Sequence, residues 1–216
     1  MKILNPHLNL SLFFFFVLIS NSYSQNIYFV KDVENISYLK IRFCLDSNGR
    51  VDSIGVMKDQ SDYKNQAVID EILFKLGKVV LPDTGSVRNN CHIETFIFIN
   101  QALQYSSLKP EEFKQLETFK TGKFKYIGAI YDSSLIVRTE KEQLETTGNN
   151  KSRFEITWIE PNIYILKFVE MGMPGWENTI GETMAVEIIK IIDPKTYVYR
   201  SLLFNQPAYG IIQKIE

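Results

Sequence analysis

The chain has 216 residues, with 24 basic and 25 acidic side chains, a formal net charge of −1 and 45% hydrophobic residues. A charge so near neutral excludes proteins that attract nucleic acid or an anionic membrane through a large positive charge. The length allows one or two domains, each able to bury a hydrophobic core.

The N-terminal segment is typical of an export signal. Lys2 precedes an apolar stretch over residues 8–19, and Ser22-Tyr23-Ser24 places small residues at positions −3 and −1 before Gln25. A helix that crosses a bilayer needs about 20 apolar residues, and this stretch is shorter. We predict a signal peptide over residues 1–24 that is cleaved, with retention as an anchor as the alternative. Loss of Lys2 moves the net charge to −2, and we expect a periplasmic or secreted protein with no membrane span in the mature chain.

A hairpin is predicted shortly after this signal. Residues 39–45 carry apolar side chains at every second position, which indicates a strand with one buried face. Asp46-Ser47-Asn48-Gly49 has the residue types of a tight turn, because Asn and Gly tolerate a positive φ. Residues 51–57 form the predicted return strand.

A helix and a central strand follow the hairpin. Apolar residues recur at three- and four-residue spacing over residues 67–76, and Gly77 stands where a C-terminal cap belongs. Residues 81–85 are predicted to form a loop. Residues 93–99 are apolar at most positions, which predicts a strand that is central or covered on both faces. The order of elements predicts a ββαβ unit of the α+β class.

The stretches "LKIRFCLDSNGRVDSIGVMKD", "AVIDEILFKL", "LPDTG" and "IETFIFIN" resemble the TonB C-terminal domain. The resemblance covers residues 36–100 and implies a domain over residues 25–103 that binds an envelope protein or peptide by strand addition at a sheet edge. Residues 25–36 contain no proline and reach at most about 40 Å. Because an energy transducer of this family needs a long spacer, we favour a bare domain used for protein contacts.

The second half of the chain is predicted to be a separate β domain. Residues 104–122 are predicted to form a helical linker, with Pro110 in the first turn of a short helix. From residue 123 to residue 216 the apolar period is two, and we predict an antiparallel barrel or half-barrel. The predicted strands are residues 123–127, 135–145, 154–159, 163–168, 184–192, 196–203 and 208–215.

The stretches "FKTGKFKY", "IVRTEKEQLE", "FEITWIEPNIYILKF" and "IDPKTYVYRSLLF" in this half resemble small lipocalin-like β domains of secreted and envelope proteins. This resemblance implies an enclosed cavity that could hold a small apolar ligand.

Catalytic and metal-binding motifs are not recognisable in the sequence. His92 is the single histidine after residue 24, and neither it nor Cys44 and Cys91 belongs to a spaced metal cluster. We therefore predict no metal, no cofactor and no enzymatic activity. Cys44 and Cys91 could form a disulfide in an oxidising compartment or remain as two buried free thiols.

Several polar and aromatic residues are candidates for a ligand site. Glu140, Glu142 and Glu145 fall in the predicted strand 135–145 together with Arg138, Lys141 and Gln143, and such mixed charges fit a solvated face. Alternatively Arg138, Gln143 and Glu145 point into the barrel, where buried polar groups would mark a ligand site. The aromatic candidates for the same site are Trp158, Tyr164 and Trp176.

Trp176 lies in "MGMPGWENTIGE", a predicted loop over residues 171–182 that could cap the mouth of the barrel, present Trp176 to a partner, or plug its own domain. Taken together, these features favour an exported, non-enzymatic interaction module of the TonB C-terminal-like type. The main alternative is a lipocalin-like carrier whose first domain is a scaffold, and an enzyme ranks third.

Overall fold

The computed structural model describes residues 26–80, 88–127, 134–172, 175–203 and 206–216. The predicted signal peptide, the predicted loop at residues 81–85, and Met173 and Pro174 of the predicted cap lie outside these ranges. The described residues form a four-stranded sheet and a closed eight-stranded antiparallel barrel, which confirms the predicted α+β class and the predicted barrel. Among them, no helix is both long and apolar enough to cross a membrane.

The first unit contains β1 (Asn26–Val30), β2 (Ile36–Leu45), β3 (Val51–Val56), the helix α1 (Gln66–Leu76) and β4 (Cys91–Asn100). The strand order in the sheet is β1-β4-β2-β3, and only the pairing of β1 with β4 is parallel. The sequence analysis missed β1. Its five residues are all half-buried, and apolar side chains on both of its faces hide the alternation that marks a one-sided strand.

The local signals of this unit are confirmed. At the hairpin turn, Asp46 Oδ1 accepts hydrogen bonds from the backbone N–H groups of Asn48 and Arg50, both at 2.8 Å, and Gly49 takes a φ of 75°. The side chain of Asn65 caps the first turn of α1, and Gly77 is its C-terminal cap.

The sheet is covered on both sides. One face, which includes Leu39 and Phe96, packs against α1. The other face, which includes Tyr38 and Ile97, packs against the outside of the barrel. β4 lies between β1 and β2, and residues 96–99 are buried, so the prediction that residues 93–99 form a strand that is central or covered on both faces is confirmed.

The barrel contains β5 (Gly122–Ile127), β6 (Leu135–Arg138), β7 (Glu142–Thr147), β8 (Asn150–Glu160), β9 (Ile163–Glu170), β10 (Thr183–Asp193), β11 (Thr196–Leu203) and β12 (Gln206–Lys214). Each strand pairs with the next along the chain, and β12 closes the barrel by pairing with β5.

One predicted strand was wrong. Residues 135–145 form two strands, β6 and β7, joined by a two-residue turn at Glu140 and Lys141. The backbone N–H of Thr139 donates to the Glu142 carbonyl oxygen at 2.8 Å, and Thr139 Oγ1 accepts from the Glu142 N–H at 3.0 Å. A threonine hydroxyl thus stabilises this turn without the Gly, Asn or Pro that usually indicates one.

The predicted helical linker contributes to the barrel core. A 3-10 helix over Pro110–Phe119 begins with Pro110 and buries Leu116 and Phe119 completely. Both side chains belong to the cluster that fills the inside of the barrel. The helix therefore covers one end of the barrel.

Candidate functional site

The inside of the barrel has two ends with different contents. Because neighbouring strands are antiparallel, the last residue of β6 and the first residues of β7, β9 and β11 lie at the same end. Arg138, Gln143, Tyr164 and Tyr197 occupy or adjoin those positions, at the end that the 3-10 helix covers. We call this the Arg138 end, and we call the opposite end the cavity end.

Arg138 is a buried cation, 2% exposed. Its Nε donates to Gln143 Oε1 at 2.8 Å, and one terminal nitrogen donates to the Phe119 carbonyl oxygen at 2.9 Å and to the Tyr197 hydroxyl at 3.2 Å. The other terminal nitrogen donates to the Tyr164 hydroxyl at 3.1 Å. Burial lowers the pKa of Arg138, but the facing tyrosine oxygens raise the pKa by more, so the guanidinium stays charged.

Glu145 carries the charge opposite to that of Arg138, and the Gln143 side chain connects the two by hydrogen bonds. Gln143 accepts from Arg138 and donates through Nε2 to Glu145 Oε1 at 2.6 Å, and the Tyr126 hydroxyl donates to the same oxygen at 3.0 Å. The other carboxylate oxygen, Oε2, accepts no hydrogen bond from any described residue. Burial raises the pKa of Glu145, and the bonds from Tyr126 and Gln143 and the charge of Arg138 offset part of that rise.

Tyr126 is the neutral partner of this carboxylate. Burial raises the pKa of Tyr126 well above its ordinary value, and the charge of Glu145 raises it further. The phenol therefore keeps its proton and acts as a hydrogen-bond donor.

A cavity of about 230 Å³ occupies the cavity end of the barrel. Its inner wall is mostly apolar and contains Phe154, Leu166, Phe168, Met184, Val186 and Ile212. Polar side chains on its inner surface are Tyr126, Ser134, Gln143, Glu145, Thr147, Tyr164, Tyr199 and Ser201. Glu145 is surrounded by protein yet only half-buried, because its accessible surface faces this space.

The structure brings together most of the candidate ligand residues. Gln143, Glu145, Tyr164 and Trp176 line the cavity, and Arg138 lies behind Gln143. Trp176 is half-buried at the cavity end, so the part of residues 171–182 that is described does adjoin the barrel interior. Glu140 in the turn and Glu142 at the start of β7 are exposed.

Trp158 lies apart from the cavity, at the Arg138 end. Its ring is 4.7 Å from that of Tyr164, and Lys120 Nζ is 5.7 Å from the indole. Its Nε1 is buried without a hydrogen-bond partner among the described residues. Trp158 therefore supports the floor of the site and does not line the cavity.

Three tyrosines of the site, Tyr126, Tyr197 and Tyr199, were not predicted. A signal for them exists in the alternation of their strands. Tyr126 shares a face with Phe124 in β5, and Tyr197 and Tyr199 share a face in β11. Because tyrosine combines an apolar ring with a polar hydroxyl, alternation alone did not distinguish inward from outward positions.

Cys44 and Cys91 form a disulfide between paired residues of β2 and β4. The alternative of two free thiols is therefore wrong, and neither sulfur is available as a metal ligand. His92 is half-buried beside the Phe43 ring. Within the described ranges, no group of three or more His, Cys, Asp or Glu side chains could hold a metal ion.

In comparisons with known proteins, no family model, no curated protein and no solved structure matches the chain.

Proposed function

We propose that the protein is an exported, non-enzymatic binding protein that carries a small, mainly apolar ligand inside its barrel, as lipocalin-like domains do. The observation that carries this proposal is the cavity of about 230 Å³, whose wall is mostly apolar and in which Tyr126 and Gln143 hydrogen-bond to Glu145. Largely apolar pockets with a few placed polar groups are the usual form of a small-molecule site.

The size of the cavity limits the ligand. An apolar cavity of about 150 Å³ holds benzene, and pockets for drug-sized molecules have about 300–1,000 Å³. A cavity of about 230 Å³ therefore suits a molecule of one or two rings, or a short branched chain.

The charges inside the barrel limit the ligand further. The positive charge of Arg138 and the negative charge of Glu145 offset each other, and Gln143 hydrogen-bonds to both. The charge inside the barrel is therefore balanced before a ligand enters. Burying an unpaired charge is costly, and we therefore propose an uncharged ligand. Because Glu145 Oε2 accepts no bond from the described residues, the ligand would donate an N–H or O–H group to it.

Two neighbouring residues of β10 provide the test. Met184 lines the cavity, and Ala185 is exposed on the outside of the same strand. We expect Met184→Trp to weaken binding of 1-aminonaphthalene, a neutral two-ring aromatic amine whose fluorescence depends on the polarity of its surroundings, by about tenfold or more. Ala185→Trp adds the same side chain outside and should leave affinity unchanged. Absence of probe binding to the unmodified protein, or equal effects of the two variants, would contradict the proposal.

A second candidate function is the TonB C-terminal-like interaction module, with the first unit binding an envelope protein or peptide. The observation that favours it is the position of β3 at the edge of the sheet, where its described residues pair along the strand only with β2. An edge with unpaired main-chain groups can accept an added strand.

Site-specific photo-crosslinking tests this second function. Asp52 is exposed on the edge strand β3, and Asp70 is exposed on α1. With p-benzoylphenylalanine at either position in the exporting cell, we expect a discrete crosslinked product from position 52 only. Products of the same size from both positions, or none from position 52, would count against strand addition at β3.

A further inference from the structure

Among the described residues, the strand pairing of the barrel wall is shortest around β5. β12 pairs with β5 only from Ile211–Ile127 to Lys214–Phe124, and β5 pairs with β6 only from Gly122–Arg138 to Phe124–Ile136. At the cavity end, the described part of β12 before Ile211 therefore has no paired neighbour in β5. Among the described residues, no hydrogen-bonded strand closes the cavity between β12 and β6 on this side.

The first unit lies against the same side of the barrel. Ile127 from β5 and Ile211 from β12 belong to one cluster with Tyr38 and Ile97 of the sheet. In the register of the sheet, Tyr38 pairs with Ile97 and Lys40 pairs with Thr95. Because side chains alternate along a strand, Thr95 and Ile97 share the face that is turned toward the barrel.

The cavity extends to this face. Tyr38, Thr95 and Ile97 line it together with residues from the barrel interior, including Glu145. Between the barrel interior and the sheet, the Tyr199 ring lies across Gly210. A Cβ added at Gly210 would stand 2.6 Å from the Tyr199 hydroxyl oxygen. Glycine at position 210 therefore leaves room for a cavity-lining ring in the part of the wall nearest the sheet.

We propose that the first unit is part of the ligand site: its sheet, through Tyr38, Thr95 and Ile97, forms a side wall of the cavity and contacts the bound ligand. This inference rests on the proposed carrier function, since it concerns the same cavity. It makes the first unit more than a scaffold, because the ligand touches both units. By reciprocity, a ligand that contacts both units also strengthens their association.

Thr95 and Ile93 allow a matched test in the full chain. They lie two residues apart on the same face of β4, but Thr95 lines the cavity whereas Ile93 is 57% exposed and does not. We expect Thr95→Trp to weaken binding of 1-aminonaphthalene by about tenfold or more, and tenfold is equal to about 1.4 kcal/mol. Ile93→Trp should change the affinity by less than about twofold.

The outcomes separate this inference from the proposed function. If Met184→Trp abolishes probe binding and Thr95→Trp does not weaken it, the cavity belongs to the barrel alone and the inference is wrong. Equal weakening by Thr95→Trp and Ile93→Trp would overturn it as well, because the effect would then come from the sheet in general. If the probe does not bind the unmodified protein, it is the carrier function that fails.

A second measurement covers the case in which Thr95→Trp does not fold. Amide hydrogen exchange of the unmodified protein, with and without saturating probe, reports on each strand separately. We expect the probe to slow exchange in β2 and β4 near Tyr38 and Thr95 as well as in the barrel. Protection confined to the barrel strands would overturn the inference.

Discussion

The ionisation of Glu145 makes the free energy of unfolding depend on pH. The pKa of Glu145 in the folded protein is raised above the ordinary value of about 4.3. At pH values between the ordinary pKa and the raised pKa, the folded state therefore holds more protons than the unfolded state. The free energy of unfolding therefore falls as pH rises through that window. We expect the difference in unfolding free energy between the unmodified protein and Glu145→Gln to fall over the same window and then to level off.

Urea unfolding of both proteins at a series of pH values from about 3.5 to 8 measures this difference. Glu94 also has a raised pKa, from burial, but both proteins contain it, so its effect cancels. The amide that replaces the Glu145 carboxylate would keep an oxygen to accept from Tyr126 and Gln143, so the variant changes the charge and little else. A difference that is flat, or that rises with pH, would show that Glu145 is not held in the environment described above.

At the residue scale, the sequence left the direction of the polar side chains undecided. Arg138, Gln143 and Glu145 could face solvent or the barrel, and the run also contains Glu140 and Glu142, which are exposed. Composition could not separate the two groups, because each contains charges of the kind found on solvated surfaces. The separation comes from the pairing of strands, which depends on residues far away in the chain.

At the element scale, one turn determines which side chains point into the barrel. In a single strand over residues 135–145, Arg138 would face away from Gln143 and Glu145, because side chains alternate. The turn at Glu140 and Lys141 reverses the chain, so Arg138 pairs with Gln143 and both point inward. The sequence predicted the surrounding strands, but it did not predict this turn, because a threonine hydroxyl replaces the usual turn residues.

The disulfide between β2 and β4 gives an element-scale prediction. Cys44 and Cys91 are separated by 47 positions, and closing a loop of that length in the unfolded chain stabilises the folded state by about 4 kcal/mol in the chain-entropy model. We expect the double variant Cys44→Ala/Cys91→Ala to lose about 2–4 kcal/mol of unfolding free energy.

Denaturation followed by far-ultraviolet circular dichroism measures that loss. Reducing agent should destabilise the unmodified protein and leave the double variant unchanged, which serves as the control for the disulfide itself. A loss below about 1 kcal/mol would mean that the unfolded chain already holds β2 and β4 close together.

At the scale of the whole molecule, the two units share a core. Val198 is fully buried, and it faces outward from β11 into the cluster that contains Ile36 and Ile99 of the first sheet. Polar contacts cross the same boundary: Lys190 donates to Asn35 at 2.7 Å. The sequence predicted two units with a boundary near residues 104–122, but it did not predict how they pack. A strand that is apolar on both faces indicates that both are buried, but not which element covers each face.

This shared core predicts that the two units unfold together. Val198→Ala should lower the free energy of unfolding by about 2 kcal/mol, since it removes buried methyl groups at the contact. Leu202 lies on the same outward face of β11 but is 54% exposed. Leu202→Ala should therefore change the free energy of unfolding by less than about 0.5 kcal/mol.

Two measurements on the same samples distinguish joint from separate unfolding. Trp158 and Trp176 both belong to the barrel unit, so tryptophan fluorescence reports on the barrel. Amide exchange in β2 and β4 reports on the first unit. If the shared core couples the units, Val198→Ala destabilises both by the same amount. If only the fluorescence transition shifts, the sheet draws its stability from α1 and the disulfide alone, and docking against the barrel contributes nothing to it.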